Sequence, residues 1–390
     1  MQLFWQVVVW FCIGALFYTY LGYPALMYVL AKLRATYKRR FHQRSFRDES
    51  EREDWPLITL LVPAYNEQKV IRQKIENTFD LDYPADRLKI VVVSDGSTDQ
   101  TNAMLASYGR QEIEFIPRSP RSGKTSVLNE VIPQLTGDLI VLSDASGLLK
   151  TDALKKLVRH FDDPRVGCVS GVYMFGDDDE SLRSLTEKIY WRYETFLKEQ
   201  ESGVHSAIGA HGALYGFRRR LFKKFHADTI NDDFILPMQI IRKGYRVIYE
   251  PAAVVYEIAS TNLRGEFNRR IRINVGNYQQ TFMLRSLLNP LRGRVALQFF
   301  SHKVLRTISP FFILLLPLAC SLAPAPIYTY LLWLQVGFYL IGLLGFLQEF
   351  VGLRLSYLYL PFYFLMGNVS AVYGFTRFVM QKQSVLWKKV

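Results

Sequence analysis

The sequence predicts an α/β domain with a mostly parallel sheet, set between membrane-spanning helices. Three observations carry this. From residue 57 onward, strand-length apolar runs alternate with helix-length amphipathic runs, the pattern of βαβ units. Three long stretches, Met1–Ala31, Thr307–Gln348 and Leu355–Thr376, carry no charged side chain. Finally, Glu67, Asp95 and Asp144 fall at the ends of three apolar runs, and in α/β sheets ligands bind beyond the carboxyl ends of the strands.

The apolar stretches come first. A spanning helix needs about 20 apolar residues, so the first and last stretches each supply one span. The middle one supplies two, broken at Ala323-Pro324-Ala325-Pro326. No basic n-region precedes the first run, so it reads as an anchor rather than a cleaved signal. Lys32, Arg34, Lys38, Arg39 and Arg40 crowd its inner end and make that end cytoplasmic. The chain then divides into a transmembrane helix (1–33), a basic and acidic cytoplasmic linker (34–56), the α/β domain (57–265), amphipathic interfacial helices (266–306), about three transmembrane helices (307–380) and a basic tail (381–390). One conflict follows. Three spans after the domain put Arg377, Lys382, Lys388 and Lys389 outside, against the charge rule. The formal charge of +13 sits mostly in juxtamembrane clusters, so it implies no nucleic-acid partner. Cys12, Cys168 and Cys320 are scattered and form neither a disulfide nor a zinc pattern.

Within the domain, an acidic linker (Asp48 to Asp54) leads to the strand "LITLLVPAYNE" and a helix from Val70 to Phe79. "LKIVVVSDGSTD" is strand and loop, with Thr98 or Asp99 able to cap the next helix. "EIEFIP" is a third strand, and "SGKTSVLNEVIPQL" opens a helix. The run Leu139–Leu142 suits a strand covered on both faces. A Thr151-capped helix, "DALKKLVRHF", and the strand "VGCVSGVYMF" follow. No G-x-G-x-x-G follows the first strand, which excludes the dinucleotide fingerprint. "RSGKT" resembles the end of a P-loop, but Arg118 stands where that motif needs its first glycine. Gly123-Lys124 at a helix start can still meet phosphate oxygens.

"VPAYNE", "SDGSTDQT", "GKTSVLN", "LSDAS" and "NDDF", in that order and spacing, resemble the membrane-anchored family 2 glycosyltransferases, in the branch of cellulose synthases and poly-N-acetylglucosamine synthases. The resemblance covers about residues 57–280. It implies a GT-A fold, a nucleotide-diphosphate sugar donor (usually a UDP-sugar), inversion at the anomeric carbon, and a multi-pass protein of a bacterial inner membrane. Ala64, Tyr65 and Glu67 would line the nucleoside site, Asp95 would hydrogen-bond the base, and Lys124 would meet the diphosphate. Asp144 would be the first acid of a D-x-D motif that binds Mg²⁺ or Mn²⁺, with Ser146 in the place of the second. Asp233 would be the general base that deprotonates the acceptor, with Asp232 beside it; the alternative is that both acids only favour a helix N-terminus.

"EFNRRIRINVGN" falls where the family often has Q-x-x-R-W. Arg269 stands in the Gln place and Ile273 in the Trp place. Arg272 would clamp the donor diphosphate bidentately, and Arg269 and Arg270 would meet the acceptor. The alternative is a basic interfacial helix. His211, in "GAHGALYGF", stands where relatives commonly carry an acid at the acceptor site, and a buried structural histidine is the other reading. Three functions remain open. One is synthesis of an extracellular polysaccharide. Another is single-sugar transfer to a membrane lipid, met by the interfacial "QTFMLRSLLNPLRGRVALQFF". The last is an inactive nucleotide-sugar-binding scaffold.

Overall fold

The computed structural model describes residues 2–41, 54–109, 113–175, 182–257, 263–351, 355–384 and 386. The acidic linker before Asp54, and Lys388 and Lys389 of the basic tail, lie outside the described residues.

Helix α1 (Gln2–Phe17) passes through a π-helical turn into α2 (Tyr23–Phe41). The domain opens with β1 (Ile58–Ala64), buried along its whole length. In α3 (Ile71–Phe79), Ile71, Ile75 and Thr78 face the core at helical spacing, and Lys74 lies buried among them. After β2 (Leu88–Asp95), Asp99 accepts from the Thr101 N–H at 3.0 Å and its hydroxyl at 2.6 Å, opening α4 (Thr101–Ala106). Then come β3 (Glu114–Arg118), α5 (Lys124–Val131), β4 (Leu139–Leu142), β5 (Leu148–Leu149) and α6 (Ala153–Val158). No side chain caps α6. The Lys150 carbonyl closes the turn on the Ala153 N–H instead, and the carbonyl of Thr151, the expected cap, accepts from Asp82. The rest of the domain is β6 (Val166–Phe175), α7 (Leu182–Val204), β7 (Tyr215–Arg218), α8 (Asp232–Arg242) and β8 (Arg246–Glu257).

The eight strands run in the order β3-β2-β1-β4-β7-β6-β8-β5. β1 to β4 are parallel, as expected, and β6 pairs in parallel with β8. β7 runs against both β4 and β6, and β5 runs against β8, so the sheet is mixed, but its other six strands run the same way and it is mostly parallel as expected. The reversal has a cause in the loop before β7. His211–Ala213 lies at the carboxyl ends of the parallel strands, next to Asp144, so β7 starts there and runs back. Apolar layers cover both faces, one packed under α5 and α8, the other under α3 and α6.

Helix α9 (Leu263–Met283) leaves the domain, and α10 (Arg294–Gln298) leads into α11 (Leu305–Leu322); α12 (Pro326–Val351) and α13 (Ser356–Val379) follow. α11 packs on α1 through Phe11, Cys12, Phe312, Ala319 and Cys320. The break at Ala323–Ala325 separates α11 from α12 as expected. Among the described residues three helical segments are long and apolar enough to cross a membrane: Gln2–Tyr37, Arg294–Leu322 and Pro326–Val351. The last apolar stretch does form a helix, α13, which differs from these. It lies along α9, with Arg270 over the Tyr363 ring, Asn274 donating to Ser370 at 3.0 Å, and Tyr278 against Phe375 and Phe378. Beyond α13 the tail returns to the domain, where a Cβ on Gly123 would stand 3.3 Å from the Leu386 side chain.

Candidate active site

The carboxyl ends of β1, β2 and β4, the loop before β7 and the start of α8 meet at one place. Ala64 ends β1, buried, and the Tyr65 ring beyond it carries the Arg121 guanidinium at 3.5 Å. Asn66 sits at φ 56°, its N–H donating to Ser97. The Glu67 N–H donates to Thr101 at 2.8 Å, and its carbonyl receives Val70 and Ile71, so Glu67 opens α3.

Asp95, expected to contact a base, has partners within the protein. It is fully buried, and its two oxygens accept from the Ser122 N–H (2.7 Å), the Ser122 hydroxyl (3.1 Å) and the Gly123 N–H (2.7 Å). This pins the loop that starts α5 and aims Lys124. The Lys124 ammonium lies 3.0 Å from Asp144 and 3.4 Å from Asp232. Burial alone would disfavour its charge, but Asp144, Asp232 and Asp233 outweigh that and hold it well above the ordinary lysine value.

Asp232 and Asp233 occupy the first turn of α8, where the helix N-terminus favours negative charge. Asp232 is buried and receives the Tyr215 hydroxyl at 3.4 Å. Burial, then the neighbouring Asp232 and Asp144, push Asp233 up to about 6, with Lys124 opposing. Gly212 lies between two of the acids: a Cβ there would stand 3.3 Å from Asp233 Oδ2 and 3.6 Å from Asp144 Oδ2. A side chain at 212 would intrude between them. Ser146 is half-buried in the turn that the Gly147 N–H closes on the Asp144 carbonyl. Arg272 feels Asp232, Asp233 and Asp144, although burial lowers its guanidinium below the ordinary range. Its buried Nε has no hydrogen-bond partner among the described residues.

The three expected acceptor residues each have partners within the protein. Arg269 and Arg270 both hold the buried Glu266, at 2.7 Å each, two cations on one carboxylate. His211 is buried, with Nε2 3.1 Å from the Tyr249 hydroxyl and its ring edge-on to Trp191. Burial, reinforced by Lys198, pushes it down to about 3, so it is a neutral residue that supports Gly212 from behind. Sequence reasoning missed Lys74, Ser143, Gly212 and Tyr215. Lys74 left one signal, a charged residue on the apolar stripe of α3.

A hard divalent cation fits this donor set by charge and ligand type, since Asp144 and Asp232 both pair with Lys124 and Asp233 lies near enough to affect its charge. Among the described residues no three His, Cys, Asp or Glu side chains converge closely enough to hold a metal by themselves. Part of the coordination would therefore come from the ligand.

A family model, Glycosyl transferase family 2, matches residues 59–225. The chain carries a glycosyl transferase family 2 domain. Strands β2 to β7, Lys124 and Asp144 lie within the matched residues, while Asp232, Asp233 and β8 follow them. The chain is 24% identical over 247 residues to the poly-beta-1,6-N-acetyl-D-glucosamine synthase of Staphylococcus aureus (strain COL), covering 61% of this chain and 58% of that protein. It is 27% identical over 238 residues to the probable glycosyltransferase YdaM of Bacillus subtilis (strain 168), covering 58% and 56%. The chain thus spans less than two thirds of the curated relatives it matches. Among solved structures, a mannosyltransferase from Pyrobaculum calidifontis, in complex with GDP-Man and Mn²⁺, shares the GT-A fold. The TM-score is 0.69 at 23% identity, over 96% of this chain and 100% of that one.

Proposed function

We propose that the protein is an inverting glycosyltransferase that moves a sugar from a nucleotide-diphosphate sugar, a UDP-sugar first, to a growing polysaccharide. The observation that carries this is the surplus of carboxylates around Lys124 at the strand ends, with Asp233 raised to about 6. Asp144 is the donor-side acid that would hold Mg²⁺ or Mn²⁺, with Ser146 as a neutral neighbour. Held there by Asp144, such an ion would supply charge neutralisation for the departing diphosphate. Lys124 and Arg272 face the same diphosphate as fixed cations. Asp233, raised by burial and its acidic neighbours, takes the proton from the acceptor hydroxyl, and Asp232 keeps that basicity high. Tyr65 and Ala64 lie where the nucleoside stacks.

The polysaccharide acceptor is favoured by the likeness to the S. aureus synthase. Transfer to a membrane lipid is the second reading. Ile273 in the place of Trp favours it, as does the arrangement of the last helix. With α13 lying along α9, two apolar helices follow the domain. That topology puts the domain and the tail on one side of the membrane, consistent with Leu386 beside Gly123 and with Arg377 and Lys382 obeying the charge rule. The test is purified protein with membrane lipid and a panel of radiolabelled UDP- and GDP-sugars, with the product sized. A labelled polymer supports the first acceptor, and a single sugar on lipid supports the second. No transfer from any donor, with nucleotide binding intact, contradicts the enzymatic reading.

A further inference from the structure

We propose that Lys74 is a positioning residue for donor binding, its buried ammonium holding the turn that carries Asp144. Lys74 is completely buried, and an apolar residue would serve that face of α3 without the cost of taking a charge out of water. What the ammonium does there is specific. It donates to Ser143 Oγ at 2.7 Å, on one side of Asp144, and to the Gly147 carbonyl on the other. Ser143 in turn donates to the Ala213 carbonyl at 2.9 Å, next to Gly212. One turn further along α3, Asn77 makes a two-way bond with the Leu149 backbone, both contacts at 2.8 Å. Lys74, Ser143 and Asn77 therefore tie α3, the Asp144 turn and the Gly212 loop into one frame.

The chemistry gives that frame a purpose. With Ser146 in the place of a second acid, the position of a single carboxylate decides how well the diphosphate end of the donor and its cation are held. Groups that orient a ligating carboxylate are worth roughly 10–100-fold in affinity. The inference rests on the proposed reading of Asp144 as the donor-side acid, and the experiment separates the two. UDP and GDP, each with Mg²⁺, are titrated calorimetrically into the full-length protein and into Lys74→Met, Asp144→Asn and the double variant. Lys74→Met should weaken the bound nucleotide roughly 10–100-fold. On the Asp144→Asn background it should cost almost nothing further, because it acts through Asp144. Additive losses, or wild-type affinity in Lys74→Met beside a weakened Asp144→Asn, overturn the inference alone. Unchanged affinity in Asp144→Asn overturns the underlying reading. Should Lys74→Met fail to fold, Ser143→Ala enters the same cycle. It removes the loop-side partner of the same bond, and its several-fold loss should likewise vanish on the Asp144→Asn background.

Discussion

Two charged clusters are enclosed in this molecule, one at the strand ends and one where α7 meets α2 and the start of α11. In the second, both ring nitrogens of His302 lie against carboxylates, 2.8 Å from Glu201 and 3.1 Å from Glu194. Arg306 holds Glu194 at 2.7 Å, and the Tyr23 hydroxyl donates to Glu201 at 2.5 Å. Each carboxylate there has its partners from the protein itself. At the strand ends Asp144 and Asp232 share the Lys124 ammonium, and Asp233 beside them is raised to about 6. The difference teaches where to look for function. A buried cluster whose charges are matched fastens elements together, while an unmatched one is stable only with a proton or a ligand.

The comparison can be broken from either side. Asp233→Asn keeps the size of the side chain and removes its basicity, so transfer should fall by roughly 10²–10⁴-fold while nucleotide affinity stays within a few-fold. Steady-state kinetics beside calorimetry measure the split. Near wild-type transfer would reduce Asp233 to a helix-start acid. In the matched cluster, Glu194→Gln leaves Arg306 and His302 facing less negative charge. Breaking such a buried pair costs about 3–5 kcal/mol, so thermal unfolding in detergent should drop sharply while the folded fraction keeps its turnover. Lost turnover at unchanged stability would make that cluster part of the chemistry.

The pH dependence follows from the same contrast. Asp233 acts as a base only when deprotonated, and its pKa is raised from 3.8 to about 6. The rate should rise about tenfold per pH unit below that value and level off above it. The sign for stability is opposite. The folded state holds this proton more tightly than the unfolded chain, so its contribution becomes less favourable as pH rises from 3.8 to about 6. A flat rate from pH 5 to 8 would remove Asp233 as the titrating base. The smallest effect belongs to Ser146→Asp. A second carboxylate in that turn should lower the Mg²⁺ needed for half-maximal rate by a few-fold, and an unchanged requirement would place Ser146 outside the cation's reach.

Much of the site was legible because strand-end position and local motif suffice for it. Asp144 follows four apolar residues that have no use for a charge, and Asp232-Asp233 open a helix. What was not legible depends on partners from distant segments. Asp95 reads as an open strand-end acid until Ser122 and Gly123 occupy it. Arg269 and Arg270 read as free cations until the helix brings Glu266 beneath both, and the burial of His211, one of its two readings, shows only once Tyr249 and Trp191 enclose it. The parallel strands β1 to β4 follow from their βαβ repeats. β7 was hidden because four residues after a glycine-containing loop carry too short a pattern to show direction. The helical character of α13 was plain from composition, but its course along α9 depends on packing that no hydropathy pattern records.

The central claim is that the unmatched acids divide their labour, Asp144 toward the donor and Asp233 toward the acceptor. It is tested most directly by titrating nucleotide diphosphate with Mg²⁺, and again with EDTA, into wild type, Asp144→Asn and Asp233→Asn. The account predicts affinity that falls roughly 10–100-fold in Asp144→Asn, as expected when a charged contact of about 1.5–3 kcal/mol is lost. It predicts a comparable fall with EDTA, and near wild-type affinity in Asp233→Asn. Affinity indifferent to both EDTA and Asp144→Asn, or lost equally in the two variants, would contradict it.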